Sequence, residues 1–208
     1  MRLSRRASPA PPTPAVGAAA SPGPLSGLAA RAVAGDGPAL AELYRARVDR
    51  TFRYLRLHVG DDAVAADLTQ EVWVRAMGGV RTVEDPDRFD AWLFAIARNA
   101  LRRHWQRYRR QRRREAPLED DTLAGAAAAV AGASADRDDP DAAWRTAALS
   151  AAVATLSALQ RDVIALRFGA GYSVGETAAL LDRSEAAVKQ LQHRALVALR
   201  ERLQDGDR

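Results

Sequence analysis

Four hydrogen-bond donors stand close together at Lys189, Gln190, His193 and Arg194. On a helix, 189 with 193 and 190 with 194 are one turn apart, so all four fall on one side. Ammonium, amide, imidazole and guanidinium groups in that array suit phosphates and base edges of a DNA major groove. The residues before them form the elements needed to present such a face. Ser173 and Glu176 make a capping box, opening a short helix through Leu181. Asp182-Arg183 is a tight turn, and Ser184 caps a second helix. Val188, Leu191, Ala195 and Leu199 recur at helical spacing and form its buried side, and the small Ala178 lets the two axes cross closely. Two short helices, a tight turn and a basic outer face predict a helix-turn-helix. An ordinary helical hairpin with a solvated basic face is the other reading of these residues.

A second cationic stretch lies upstream. From Arg98 to Arg114 there are nine arginines in 17 residues, interleaved with Asn99, His104, Trp105 and Tyr108. Like charges at this density repel along a helix unless a polyanion relieves them. Asn99, Arg103, Arg107 and Arg110 share a face by spacing, and the aromatics offer stacking platforms for unpaired bases. A third surface is acidic: Asp67, Gln70 and Glu71, with Val74 as an apolar member, line the outer side of a helix that buries Val64, Leu68, Val72 and Ala76. Such strips are commonly just solvated.

Composition narrows the class. The 208 residues contain no cysteine, and three scattered histidines (His58, His104, His193) lack metal-ligand spacing. No metal or cofactor is therefore expected, and no nucleophile or carboxylate constellation marks an enzyme. No apolar run approaches the ~18 residues needed to span a bilayer, so a cytoplasmic protein is expected. Lysine occurs once among 31 cationic residues, the rest being arginine, whose planar fork suits phosphate. The accompanying Ala, Gly and Pro bias also fits a GC-rich genome, so the positions of the arginines mean more than their number.

The chain divides into five parts. Residues 1–27 are Pro-, Ala- and Ser-rich and predict a disordered tail. A first helical domain spans 28–114. Asp36 caps its first helix, with Pro38 in the opening turn and Leu40, Leu43, Tyr44, Val48, Phe52 and Leu55 as its core stripe. Gly60-Asp61-Asp62 breaks and recaps the chain, and Asp85-Pro86-Asp87 starts a helix with Phe89, Trp92, Leu93, Ile96, Ala97 and Ala100 inward. Residues 115–143 read as an acidic, Ala-rich linker, with eight acidic residues against one arginine between Glu115 and Asp141. A second helical domain spans 144–203: Leu149, Ala152, Val153 and Leu156 face inward, Ser157 caps the next helix, and Gly169 and Gly171 lead into the helix-turn-helix. Residues 204–208 fray. The fold class is all-α, with two small domains.

DLTQEVWVRA (Asp67–Ala76), RFDAWLFAIARNALRRHW (Arg88–Trp105) and SVGETAALLDRSEAAVKQLQHRALVALR (Ser173–Arg200), in this order, resemble the extracytoplasmic-function (ECF) group of RNA polymerase sigma factors. The resemblance covers about 28–114 and 144–203. It implies that Asp67, Gln70, Glu71 and Val74 dock on the clamp of the largest polymerase subunit. It implies that Trp92, Asn99, Arg102, Arg103, Trp105 and Arg107 engage the −10 element as it melts, with Asn99 aligned to a base pocket. The −35 element would fall to Ser184, Lys189, Gln190, His193 and Arg194. Core polymerase and promoter DNA are the implied partners, with an anti-sigma factor as a further candidate.

Four positions depart from the family pattern. Leu191 stands where many members carry arginine, and Gln192 replaces a core leucine, which opens a one-residue shift of the core register. Asp182 replaces a turn glycine, and Ala158 a helix-starting proline. The alternative function is a helix-turn-helix regulator that does not associate with polymerase.

Overall fold

The computed structural model describes residues 25–115 and 148–205. Residues 1–24 of the expected tail, nearly all of the linker, Trp144 and the last three residues lie outside them, while Ser26 and Gly27, expected in the tail, already belong to the first helix. Every described element is a helix or a turn, with no strand among the described residues.

The first half has four helices. α1 (Ser26–Val33) has no counterpart in the sequence reading, because its fully buried residues are only Ala29 and Ala32, with Leu28 and Val33 partly buried beside them. α2 (Gly37–Val59) starts as its sequence predicts: the Asp36 carboxylate accepts from the Ala39 N–H at 3.2 Å, with proline in the first turn. It stops at Gly60, which takes φ 72°, a left-handed conformation that glycine adopts without strain. The Asp61 side chain accepts from Val64 N–H at 2.8 Å and opens α3 (Asp62–Gly79). After short turns at Val80–Thr82 and Pro86–Arg88 comes α4 (Phe89–Glu115). Leu43, Leu55 and Val59 of α2, Val72, Trp73 and Ala76 of α3, and Phe89, Leu93, Ile96, Ala97 and Ala100 of α4 form the core. Tyr44, expected inward, is 38% exposed and rests its ring edge-on against Trp73 at 5.1 Å.

The second half begins with α5 (148–154) and α6 (Ala158–Ile164). Ser157 and Gln160 exchange both bonds of a capping box, so the helix starts cleanly without the family proline. A π-helical turn (Ala165–Gly169) leads to α7 (Val174–Leu181) and α8 (Glu185–Asp205). Ala152, Val153, Leu156, Ile164, Ala195 and Leu199 form a small core. Leu149 is not part of it: it sits at the start of the described α5, nearly half exposed.

A second side of α2 is buried too, and the sequence pattern did not reveal it. Arg47, Thr51, Tyr54 and His58 recur at spacings of four, three and four and are all under 9% exposed. Arg47 forms a bidentate pair with Asp90 of α4 at 2.7 and 2.8 Å. Tyr54 and His58 are covered by α6, and the π-turn packs along α2. A Cβ at Gly169 would lie 3.1 Å from the Arg53 carbonyl oxygen, so the backbones meet closely there. One continuous apolar cluster therefore runs from α1–α4 into α6–α8.

Arg161 ties α6 to the end of α5. Its buried guanidinium donates to the carbonyls of Val153 at 3.2 Å, Ala154 at 2.7 Å and Leu156 at 3.1 Å. The Val153 carbonyl also accepts from the Leu156 N–H at 3.2 Å, whereas the Ala154 and Leu156 carbonyls lie past the last intrahelical donor of α5. Arg161→Met should therefore lower stability by roughly 2–4 kcal/mol, since it leaves buried carbonyls unpaired. Urea unfolding should show a lower midpoint at unchanged slope. An unchanged midpoint would mean that water satisfies the carbonyls equally well.

Candidate nucleic-acid and polymerase interfaces

The α7–turn–α8 unit is built as its sequence predicts. Ser173 Oγ accepts from Glu176 N–H at 3.1 Å, and the Glu176 carboxylate accepts from Ser173 N–H at 2.6 Å. Burial works to raise the Glu176 carboxyl, but these bonds and the charges of Arg50 and Arg47 hold it below the ordinary value. Asp182 occupies the left-handed region at φ 54°, in the place of the family glycine. Arg183 N–H then closes on the Ala178 carbonyl at 3.0 Å, and Ser184 Oγ accepts from Ala187 N–H at 3.2 Å. Thr177 and Ala178 are buried where the two helices cross.

On α8, Val188, Ala195 and Leu199 are buried and Leu191 is half-buried, so the core register is unshifted. Gln192 is accommodated by a polar partner: its Oε1 accepts from Arg167 Nε at 3.1 Å, and Arg167 also donates to the Tyr172 carbonyl. Ser184, Lys189, Gln190, His193 and Arg194 are all exposed. Lys189 has only a loose contact with Glu185, at 3.9 Å. Such an exposed pair contributes little and leaves the ammonium available.

On α4 the arginines split between two sides, where spacing had suggested one shared face. Asn99 and Arg102 line a cleft of about 530 Å³ together with Arg98 and Arg109, and Asp162 of α6 stands across from them. Arg103 and Arg107 turn instead toward α3, reaching Glu71 at 3.0 and 3.5 Å. The two tryptophans are not surface platforms. Trp92 is 9% exposed, tilted against Phe89 and close over Gly79. Trp105 is 8% exposed, with His104 and Tyr108 edge-on beside it, and only borders the cleft. Both rings are mainly core, because an indole that packs against its own helix neighbours is stabilised more by burial than by exposure. Burial and the Arg107 charge keep the His104 imidazole below its ordinary pKa.

The acidic strip on α3 is present: Asp67, Gln70 and Val74 are exposed and share a shallow hollow with Glu71 and Arg75. Glu71 is not a free charge, since Arg75 at 3.1 Å joins Arg103 and Arg107 around its carboxylate. The sequence reading missed Met77, 48% exposed and one turn beyond the 63%-exposed Val74; the i, i+3 spacing of two apolar residues on the polar side was its signal. Among the described residues there is no group of three or more His, Asp and Glu side chains able to hold a metal ion. No described helix is long and apolar enough to cross a membrane.

The comparisons with known proteins agree with this division. Residues 43–113 match sigma-70 region 2, and residues 152–201 match sigma-70, region 4. The chain is 35% identical over 187 residues to the ECF RNA polymerase sigma factor BldN of Streptomyces coelicolor, covering 87% of this chain and 66% of that protein. It is 34% identical over 168 residues to the RNA polymerase sigma-E factor of the same organism, covering 78% of this chain and 84% of that one. CnrH, solved in complex with the cytosolic domain of CnrY, superposes with a TM-score of 0.61 at 26% identity, over 88% of this chain and 98% of CnrH. The sigma factor RpoE of Bartonella quintana shares the fold, with a TM-score of 0.58 at 20% identity, over 79% of this chain and 96% of that one. With both sigma-70 regions in order and sigma factors as its relatives along most of its length, this chain belongs to the ECF RNA polymerase sigma factors.

Proposed function

We propose that this chain docks on the clamp of the largest subunit of core RNA polymerase and directs it to promoters as an alternative sigma factor. The observation that supports this best is the pair of cationic helix faces on different halves of one chain, Lys189 to Arg194 on α8 and Asn99 with Arg102 on α4. A plain helix-turn-helix regulator needs only the first. In this reading, residues 144–203 read the duplex −35 element through a helix in the major groove. Residues 28–114 dock on polymerase and hold the melted −10 strand. The chain is itself non-catalytic and works in the cytoplasm beside the polymerase that does the chemistry. An anti-sigma factor is the expected class of inhibitor, by analogy with the solved complex of the sigma factor RpoE with the anti-sigma factor NepR from Bartonella quintana.

The docking strip is best tested at its exposed members. Asp67→Arg and Val74→Glu should leave the circular dichroism spectrum unchanged and weaken core binding by about ten- to a hundredfold, the scale of misplaced charge at an interface. Normal affinity for core polymerase in both variants would remove the strip from the interface.

For the −35 reader, Lys189→Ala and Arg194→Ala should weaken promoter binding and flatten its salt dependence. Each phosphate left without its cation takes about 0.9 off the slope of log K against log salt. An unchanged slope in both would show that neither side chain neutralises phosphate.

Asn99→Ala isolates the melted strand. Losing hydrogen bonds to a desolvated base costs about 1–3 kcal/mol, a five- to hundredfold loss of open complex. Permanganate footprinting on an intact promoter and on one with a pre-opened −10 bubble should show the defect on both. Rescue by the bubble would instead give Asn99 a part in nucleating strand opening, and wild-type behaviour on both would make it structural.

A further inference from the structure

Three guanidiniums converge on the Glu71 carboxylate. Arg75, one turn further along α3, lies 3.1 Å from its Oε1, and Arg103 of α4 donates to the same oxygen at 3.0 Å. Arg107, one turn beyond Arg103, reaches Oε2 at 3.5 Å. An isolated surface pair contributes little, but this is a network of four charges, and it is partly sheltered. The Glu71 side chain is 25% exposed and that of Arg103 34%, while Arg107, at 65%, is more loosely held. Arg103 Nε is buried without a hydrogen-bond partner, so the guanidinium lies against α3. Three cations around one anion repel one another, and the carboxylate is what keeps them together.

The other side of α4 is different. Arg102 and Arg109 line the cleft beside Asn99, with no carboxylate in ion-pair contact among the described residues. Arg102 and Arg103 are neighbours in sequence, so their side chains leave the helix roughly 100° apart. One of them is free and the other is held. The resemblance placed Arg102, Arg103 and Arg107 together on the −10 element, whereas the packing divides them. The division matters because arginines that neutralise phosphate add affinity for any sequence, and base contacts add it for one.

We propose that Glu71 withholds Arg103 and Arg107 from nucleic acid, so that the strand is bound on the Asn99 side of α4 and sequence-independent affinity is limited. The proposal rests on the reading of Asn99 and Arg102 as a strand-binding face. Glu71 is then a positioning residue, acting through the arginines that it holds.

The full chain, free of polymerase, is titrated with a short fluorescent single-stranded DNA of random sequence at several salt concentrations. Each phosphate neutralised on a single strand adds about 0.7 to the slope of log K against log salt. Glu71→Gln keeps the side-chain shape and removes the charge. It should steepen the slope by about 0.7–1.4 and tighten binding at low salt about three- to twentyfold. Arg102→Ala should flatten the wild-type slope by about 0.7, while Arg103→Ala and Arg107→Ala leave it unchanged. Glu42→Gln, at an exposed position of α2 with no ion pair among the described residues, removes the same charge and should not change the slope. Adding Arg103→Ala and Arg107→Ala to Glu71→Gln should restore the wild-type slope. A slope that flattens with Arg103→Ala or Arg107→Ala as it does with Arg102→Ala overturns the proposal. So does a Glu71→Gln slope equal to that of the wild type. Arginine modification by phenylglyoxal, read by mass spectrometry, needs no DNA: Arg103 and Arg107 should react about two- to fivefold faster in Glu71→Gln, with Arg102 unchanged. Should no form bind the strand, the strand-binding reading of α4 fails and the proposal with it, while the phenylglyoxal rates still decide whether Glu71 holds the two arginines.

Discussion

Like-charge repulsion along α4 is the constraint around which the rest of the molecule is arranged. Nine arginines within 17 residues would fray an isolated helix. The structure relieves them with carboxylates from different elements: Glu71 of α3 against Arg103 and Arg107, and Asp162 of α6 against Arg98. At the helix start, Asp90 sits where the macrodipole favours an anion and is held by Arg47. Folding the first half thus leaves α4 only partly neutralised, with Arg102 exposed along the cleft. In the proposed reading of α4 a polyanion completes the neutralisation, and that residual demand would link the packing to nucleic-acid binding.

What the sequence revealed was what is decided locally. Asp36, Asp61, Ser157, Ser173 and Ser184 all cap helices within three residues of themselves, and each was readable from side-chain type and spacing. The same holds for the left-handed Asp182 and for the exposed quartet on α8. What stayed hidden depends on residues far away in the chain. Tyr54 and His58 look like ordinary polar members of α2 until Asp162, more than 100 positions later, covers them. Trp105 sits among arginines, and only the packing of its own neighbours shows that it is core. α1 went unseen because its fully buried residues are two alanines, which have little contrast with an Ala-rich tail.

Gln192 illustrates how a family departure is absorbed. A glutamine in place of a core leucine would be costly if its amide stayed unpaired. Here it is only half-buried, and Arg167 in the π-turn donates to it. The π-turn therefore does two things at once: Arg167 holds Gln192 of α8, and Gly169 packs on α2. Recognition helix and first half are joined through the same five residues, Ala165–Gly169.

The ion-pair network around Glu71 bears on how the docking strip can work. A carboxylate offers about four lone-pair sites, and three arginines already approach this one. A polymerase cation that engaged Glu71 directly would have to compete with Arg103 and Arg107, two side chains on the helix assigned to DNA. Asp67, Gln70 and Val74 face solvent without that competition, and Met77 extends their apolar part by one turn. The geometry therefore favours docking through the exposed members of the strip. In that proposed reading Glu71 acts inward, tying α3 to α4 through Arg103 and Arg107 and so linking the proposed docking surface to the proposed strand-binding helix.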